Sequence, residues 1–262
     1  MDSYSFPDEV FFQMGLGYKM ISVAMTTFNG MPYVKQQLES ILIQLDESDE
    51  LVVSDNGSTD GTWAWLEKQA VLDKRIVLIQ FFDEQGVVAN VFNALKHCHG
   101  DLIFLSDQDD VWLPGRVSTV VRQFDANPDL LIVQTDAVVI DQSGKTITDS
   151  FFDFRHCGPG ILKNIYKNTW QGCCMAMRRQ LLALALPVPK SVPMHDVWLG
   201  LIAECSGQVA FLPKILTQYR RHLDNASALK HAPWHRVVGW RIALITALLW
   251  RLPRILWRKI AT

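Results

Sequence analysis

An apolar run that stops in three carboxylates, Leu102-Ile103-Phe104-Leu105-Ser106-Asp107-Gln108-Asp109-Asp110, has the clearest chemical content in this sequence. Hydrophobic burial accounts for the run but not for its acidic end. Carboxylates at i and i+2 beyond a strand can converge on a divalent cation. Mg²⁺ or Mn²⁺ held by one or two carboxylates completes its shell with water and phosphate oxygens. A solvated acidic turn, or helix capping ahead of Pro114, explains the same residues without chemistry. A second run, Val52-Val53-Ser54, ends in Asp55-Asn56-Gly57-Ser58-Thr59-Asp60-Gly61. Here Asp55 can accept from a nucleobase N–H, and Ser58, Thr59 or Asp60 can cap the next helix, although Asn-Gly and Asp-Gly are also ordinary turn chemistry. Thr26-Thr27-Phe28-Asn29-Gly30 closes a third run in the same way.

Bringing three such ends together requires the strands to lie side by side in one sheet. The pattern predicts strands at Ile21–Met25, Glu50–Ser54, Ile76–Phe81 and Asp101–Leu105, alternating with helices at Pro32–Gln44, Thr59–Gln69 and Val87–His97. Strands alternating with helices form a mostly parallel sheet covered on both faces, and ligands bind at the carboxyl ends of its strands. Further strands are expected at Leu130–Ile140, Thr146–Asp149 and Thr169–Met177, and helices at Arg178–Leu186 and Asp196–Ser206; Phe151–Pro159 has no clear period. The 262 residues, 49% hydrophobic and 20% charged, can bury a sizeable core. Five cysteines without Cys-x-x-Cys or Cys/His ligand spacing argue against zinc and against a disulfide framework, and fit a reducing compartment. Residues 1–13 carry Asp2, Asp8 and Glu9 without a basic leader or long apolar stretch, so a cytoplasmic location is expected.

The combination of Thr26-Thr27-Phe28-Asn29, Ser54-Asp55-Asn56-Gly57-Ser58-Thr59-Asp60 and Ser106-Asp107-Gln108-Asp109-Asp110-Val111-Trp112 resembles the family 2 glycosyltransferases of the GT-A fold, over about Ile21 to Ser227. The likeness is strongest to bacterial rhamnosyl- and hexosyltransferase-like members that build surface polysaccharides. It implies a Rossmann-like α/β sheet and an inverting, metal-dependent transfer of a hexose or deoxyhexose from a UDP- or dTDP-sugar to a glycan hydroxyl, as in O-antigen synthesis. The matching positions take roles by resemblance. Thr27, Asn29 and Asp55 line the base and ribose pocket. Asn90, four residues beyond Gly86, touches donor hydroxyls, or is simply a polar position on a helix face. Asp109 is the direct ligand of Mn²⁺ or Mg²⁺, with Asp107 beside it and nearer the donor.

An inverting transfer needs a base for the acceptor hydroxyl, and the family's base matches Asp196 in Met194-His195-Asp196-Val197-Trp198; read alone, Asp196 is a helix N-cap. The resemblance places Trp170, Gly172, Cys173, His195 and Trp198 on the acceptor side, with Gly172 letting the sugar approach the backbone. As large apolar residues, Trp170 and Trp198 are otherwise core. Tyr219-Arg220-Arg221-His222 resembles a loop over the diphosphate in which His222 completes the metal shell and Arg220 or Arg221 meets phosphate. Leu223 stands where the subgroup commonly has Gly, which sets that loop apart.

The expected organisation is an N-terminal extension (1–19), a GT-A domain (20–228) with a nucleotide-binding half (20–112) and an acceptor-binding half (113–228), and a basic amphipathic tail (229–262). Beyond Asp224 there is no Asp or Glu, while Lys230, Arg236, Arg241, Arg251, Arg254, Arg258 and Lys259 are basic. On a helical wheel Val237, Val238, Ile242, Leu244, Ile245, Leu248, Leu249, Leu252, Ile255 and Leu256 share one face, opposite Arg236, Arg251, Arg254 and Arg258. With four tryptophans nearby, that helix suits the headgroup region of an anionic membrane at the inner face of the cell, and a lipid-linked acceptor; packing on its own domain or in a homo-oligomer is the competing expectation. The remaining 18 Lys and Arg against 27 Asp and Glu offer no nucleic-acid groove. Two other classes compete: a non-catalytic nucleotide-sugar-binding or scaffold protein, and a haloacid-dehalogenase-like phosphotransferase. The latter carries its aspartates on the first strand, not the fourth.

Overall fold

Every residue of Ile21–Thr27 (β1) is buried, as a strand covered on both faces requires. The computed structural model describes residues 19–31, 33–222 and 233–261, with the side chains of the final helix described as far as Trp257. After β1 come Val34–Leu42 (α1), Glu50–Asp55 (β2), Thr62–Leu72 (α2), Ile76–Gln80 (β3), Val87–Lys96 (α3) and Leu102–Asp107 (β4). β3, β2, β1 and β4 pair in that order, all parallel. Alternation along β4 feeds two cores: Ile103 and Leu105 pack on one side of the sheet, Leu102 and Phe104 on the other.

The second half is mixed. Val111–Trp112 (β5) and Arg116–Ala126 (α4) lead into the long Leu130–Asp141 (β6) and Thr146–Thr148 (β7). Short helices at Phe151–Arg155 (α5) and Ile161–Tyr166 (α6) precede Met175–Arg178 (β8), Leu182–Ala185 (α7) and His195–Ser206 (α8). Gln208–Arg221 (β9) and Trp234–Ala261 (α9) finish the order. β8 runs antiparallel between β4 and β6, β9 runs parallel to β6, and β5 caps the far edge against β9.

The expected first half is reproduced with shifts of a few residues, and the second half differs in several places. Thr169–Met177 is not one strand: Gly172–Cys174 forms a 3-10 turn and pairing starts at Met175. The helix expected over Arg178–Leu186 reduces to a 3-10 turn, Arg179–Leu181, and the single turn of α7. β5, α4, α5, α6 and β9 are additions. β9 hides its period because its register slips between Leu212 and Ile215, around Pro213 and Lys214. Residues 1–18 of the expected extension, and Leu223 through Ala232, lie outside the described residues.

α9 packs against α6, α7 and α8. It buries Leu244, Ala247, Leu248, Arg251 and Ile255. The structure thus corrects the expected single apolar face opposite a cationic one. Arg251 belongs to the inward face, where it donates to the carbonyls of Leu186 (2.8 Å) and Pro187. No described helix is long and apolar enough to cross a membrane.

Candidate active site

A cavity of about 310 Å³ opens where β1 and β4 end, walled by the α3 start and by the first turn of α8. Thr27, Asn90, Asp107, Asp109, Gly172, His195 and Asp196, all anticipated from sequence, line it together.

β4 delivers Asp107 at its last residue, and the following turn carries Asp109 and Asp110. Asp107 is pushed up to about 7, first by burial and then by the charges of Asp109 and Asp196. Asp110 is raised well above the carboxylate range by burial and by the charges of Asp109 and Asp107. Its Oδ1 accepts from the Arg220 backbone N–H (2.8 Å), while Oδ2 is buried without a hydrogen-bond partner. Clustered carboxyls whose ionisation is disfavoured by burial and by one another, one of them with an orphaned oxygen, are a donor set suited to a hard divalent cation. Among the described residues, ligand-type atoms of Asp107, Asp110 and Cys173 lie within 4.8 Å of one another. His222 reaches the same turn from the end of β9, its Nε2 2.7 Å from Asp109 Oδ2.

The opposite wall is α8. Asp196 is not its N-cap, which is Met194; Asp196 sits in the first turn, and its Oδ1 accepts from Val197 N–H (2.6 Å). Burial raises its carboxyl above the ordinary value. His195 is buried beside it, its pKa depressed by desolvation, and its Nδ1 has no partner. A neutral imidazole therefore flanks a basic carboxylate. A Cβ added to Gly172 would stand 2.4 Å from His195 Nε2, so the missing side chain makes room for the imidazole at the cavity wall.

At the donor end, Asn90 donates to the Thr27 carbonyl (3.2 Å) and leaves Oδ1 buried and unpartnered at the cavity wall. Phe28, half exposed, is held by reciprocal bonds with the Gln108 amide: Phe28 N–H donates to Oε1 (2.8 Å), and Nε2 donates to the Phe28 carbonyl (3.0 Å). Asp55 does not line the cavity. Its two oxygens accept from Thr27 Oγ1, Gly57 N–H, Ser58 N–H and Ser58 Oγ, which organises the turn behind the wall. Asn29 likewise ties the neighbouring turn, accepting from Thr59 N–H at 2.8 Å.

Several expected contacts lie elsewhere. Trp170 and Trp198 are core residues whose indole N–H groups donate to Glu204 (3.2 Å) and to the Ala185 carbonyl (3.0 Å), so neither offers a face to a sugar. Cys173 is buried, and its carbonyl accepts from the equally buried Arg116 (2.7 Å). Arg220 turns its guanidinium into the protein, donating to the carbonyl of Asp109 (2.8 Å) and to Gln36 (3.0 Å), and lies over the Tyr33 ring. It shapes the acidic turn from behind. Arg221 donates to the Tyr219 hydroxyl (2.9 Å). Gln108, Asp110 and Arg116 escaped notice as site residues. Asp110 had a signal, a third acid directly before Val111-Trp112.

The sequence model described as "Glycosyl transferase family 2" matches residues 22–183, more than half of the chain. An uncharacterized glycosyltransferase of Nostoc is 29% identical over 223 residues, 78% of this chain and 66% of its own length. The putative teichuronic acid biosynthesis glycosyltransferase TuaG of Bacillus subtilis is 25% identical over 215 residues, 80% of this chain and 82% of its own. Among solved structures, Staphylococcus aureus TarS 1-349 in complex with UDP-GlcNAc superposes with a TM-score of 0.68 at 18% identity, covering 86% of this chain and 66% of that one. A mannosyltransferase of Pyrobaculum calidifontis, in complex with GDP-Man and Mn²⁺, gives 0.61 at 20% identity, covering 90% and 73%. The fold is of the GT-A class. The chain spans slightly less than two thirds of the Nostoc relative.

Proposed function

This chain belongs to glycosyl transferase family 2, and from that premise we propose that it moves a hexose or deoxyhexose from a UDP- or dTDP-sugar to a hydroxyl of a lipid-linked glycan, inverting the anomeric centre, in surface polysaccharide synthesis such as that of O-antigen. One observation carries the reading: Asp107 and Asp109, at the end of β4, line the same cavity as Asp196 from α8. The teichuronic acid in the TuaG name and the UDP-GlcNAc held by the TarS structure support the substrate class.

Asp109 and Asp107 would hold Mn²⁺ or Mg²⁺, with His222 adjoining Asp109; a bound cation offsets charge on the leaving diphosphate. Mn²⁺ in the Pyrobaculum calidifontis mannosyltransferase structure supports this assignment. Thr27, Asn90 and the exposed Phe28 ring fit the nucleoside and sugar of the donor, with Asn29 and Asp55 supporting that wall from behind. Asp196 takes the proton of the acceptor hydroxyl as its oxygen bonds to the anomeric carbon and the bond from that carbon to the diphosphate oxygen breaks with its electron pair. Burial makes Asp196 a stronger base than an exposed carboxylate, and burial also lowers the His195 pKa, so the ring beside it is held away from the cationic form that would weaken that base. Arg221 reaches phosphate from the end of β9, whereas Arg220 fixes the turn. The protein works on the cytoplasmic side of the membrane, where activated sugars are made.

The test is a panel of nucleotide sugars scored for Mn²⁺- or Mg²⁺-dependent protection against thermal unfolding, followed by assay of Asp196→Asn. Donor protection retained with transfer abolished is expected. Unchanged transfer by Asp196→Asn removes the assigned base, and a protein that binds donors yet transfers to no acceptor is a binding protein instead. The anomeric configuration of the product, read by NMR, decides inversion.

A further inference from the structure

α9 is wider in its apolar character than its docking requires. Its inward stripe, Leu244, Ala247, Leu248, Arg251 and Ile255, is buried on the domain. A second stripe, Trp234, Val238, Ile242, Ile245, Leu249 and Leu256, faces outward; Ile242 is 57% and Leu249 59% exposed. At roughly 100° per residue these six side chains fall within about 80° of arc, so they form one continuous ridge along the helix. Trp234, Trp250 and Trp257 are exposed by 78%, 71% and 71%. Tryptophan is highly buried on average, and three such side chains on one helix call for a partner. Arg241, at the edge of the ridge, donates to the Tyr166 carbonyl (2.9 Å). That contact sets α6 alongside, and α6 adds exposed Leu162 and Tyr166.

We propose that this ridge, with the adjoining face of α6, is a docking surface for an anionic lipid monolayer, and that α9 inserts its outer stripe while its inner stripe stays packed on α8. The proposal rests on the functional reading above and adds the surface that would bring the domain to a lipid-linked acceptor. Charge selects the occupant. From Ala226 to Thr262 the chain has no Asp or Glu, whereas Arg236, Arg241, Arg254, Arg258 and Lys259 lie on or beside α9. Arg241 borders the ridge at the same helical spacing, so two copies meeting ridge to ridge would bring like charges toward one another. An anionic headgroup layer neutralises them, and indole rings are favoured at that depth. The helix is too short in uninterrupted apolar sequence to span, so it lies in the interface. Because the inner stripe holds it to the α8 that carries Asp196, insertion also fixes the catalytic cavity relative to the lipid surface.

The test is co-sedimentation of the full chain with vesicles of phosphatidylcholine alone and with about one third phosphatidylglycerol, read beside tryptophan fluorescence. Binding to the anionic vesicles, with a blue shift and weakening at high salt, is expected. Ile242→Glu combined with Leu249→Glu should lower the partition coefficient by about tenfold or more, while leaving the melting temperature and transfer to a water-soluble acceptor unchanged. Equal vesicle binding by the double variant overturns the proposal, as does a wild-type protein that ignores anionic vesicles. A wild-type dimer that the double variant converts to monomers without any vesicle binding overturns it in favour of a second copy. Vesicle binding and soluble-acceptor transfer are separate readouts, so failure of one leaves the other standing.

Discussion

The His195 imidazole lies against Gly172 so closely that a single added methyl carbon would stand 2.4 Å from Nε2. The ring belongs to the first turn of α8, one residue before Asp196, and a 3-10 turn carries the glycine between β6 and β8. The absence of a side chain at one element therefore sets the position of a carboxylate on another.

Gly172→Ala is expected to displace His195 and with it Asp196. Loss of about tenfold or more in kcat, with the donor KM little changed, follows if the shift reaches the acceptor hydroxyl. Steady-state kinetics at saturating donor measure it. A variant with wild-type kcat would show that this packing does not position the base.

Asp107 makes a pH prediction with a definite sign. Its carboxyl, ordinarily near 3.8, is raised to about 7 in the fold, so between those values the folded state holds a proton that the unfolded chain has released. The metal-free protein should therefore lose stability as pH rises from about 4 to 7. A cation binding the ionised cluster competes with the proton. Mn²⁺ affinity, followed by calorimetry, should weaken toward about tenfold per pH unit below 7, and Asp107→Asn should flatten both dependences.

The parallel half of the sheet was readable because β1, β2 and β4 are short buried runs ending in polar turns, and their order follows from strand–helix alternation. Asp107 and Asp109 emerged because no hydrophobic pattern explains their place, whereas Asp196, which alone reads as a helix cap, emerged only through the family resemblance. β9 was hidden by Pro213 and by half-exposed residues that blur its alternation. α4 had a usable signal in Pro114-Gly115 followed by Val117, Val120, Val121 and Phe124, which the neighbouring acidic motif overshadowed. Neither the burial of Trp198 nor the turning of Arg220 toward Asp109 is written in residue type. Both depend on which elements pack together, and a tryptophan or arginine serves a core as readily as a ligand.

Arg116 illustrates that last point energetically. Its guanidinium is fully buried, donates to the carbonyl of Cys173 and to the hydroxyls of Thr217 and Thr135, and lies over the Trp112 ring. Burial lowers its pKa, while Asp110 nearby favours its charge. Arg116→Leu should cost about 2–4 kcal/mol, since it strands the Cys173 carbonyl and the two threonine hydroxyls in a buried network. Chemical denaturation measures the loss, and a change below about 0.5 kcal/mol would mean that the buried network contributes little.

Arg251 is the corresponding anchor for α9. It reaches the carbonyls at the end of α7 from the centre of the inward stripe, lies over the rings of Trp198 and Trp250, and is shifted down in pKa by burial. Arg251→Ala removes both carbonyl bonds and leaves a void against Trp198, whereas the outward ridge loses nothing. The variant should therefore be cleaved faster by protease near the start of α9 and melt several degrees lower, while its affinity for anionic vesicles stays within about threefold of wild type. If docking of α9 relied on its leucines alone, protease sensitivity would not change, and the guanidinium would be a passenger in the interface.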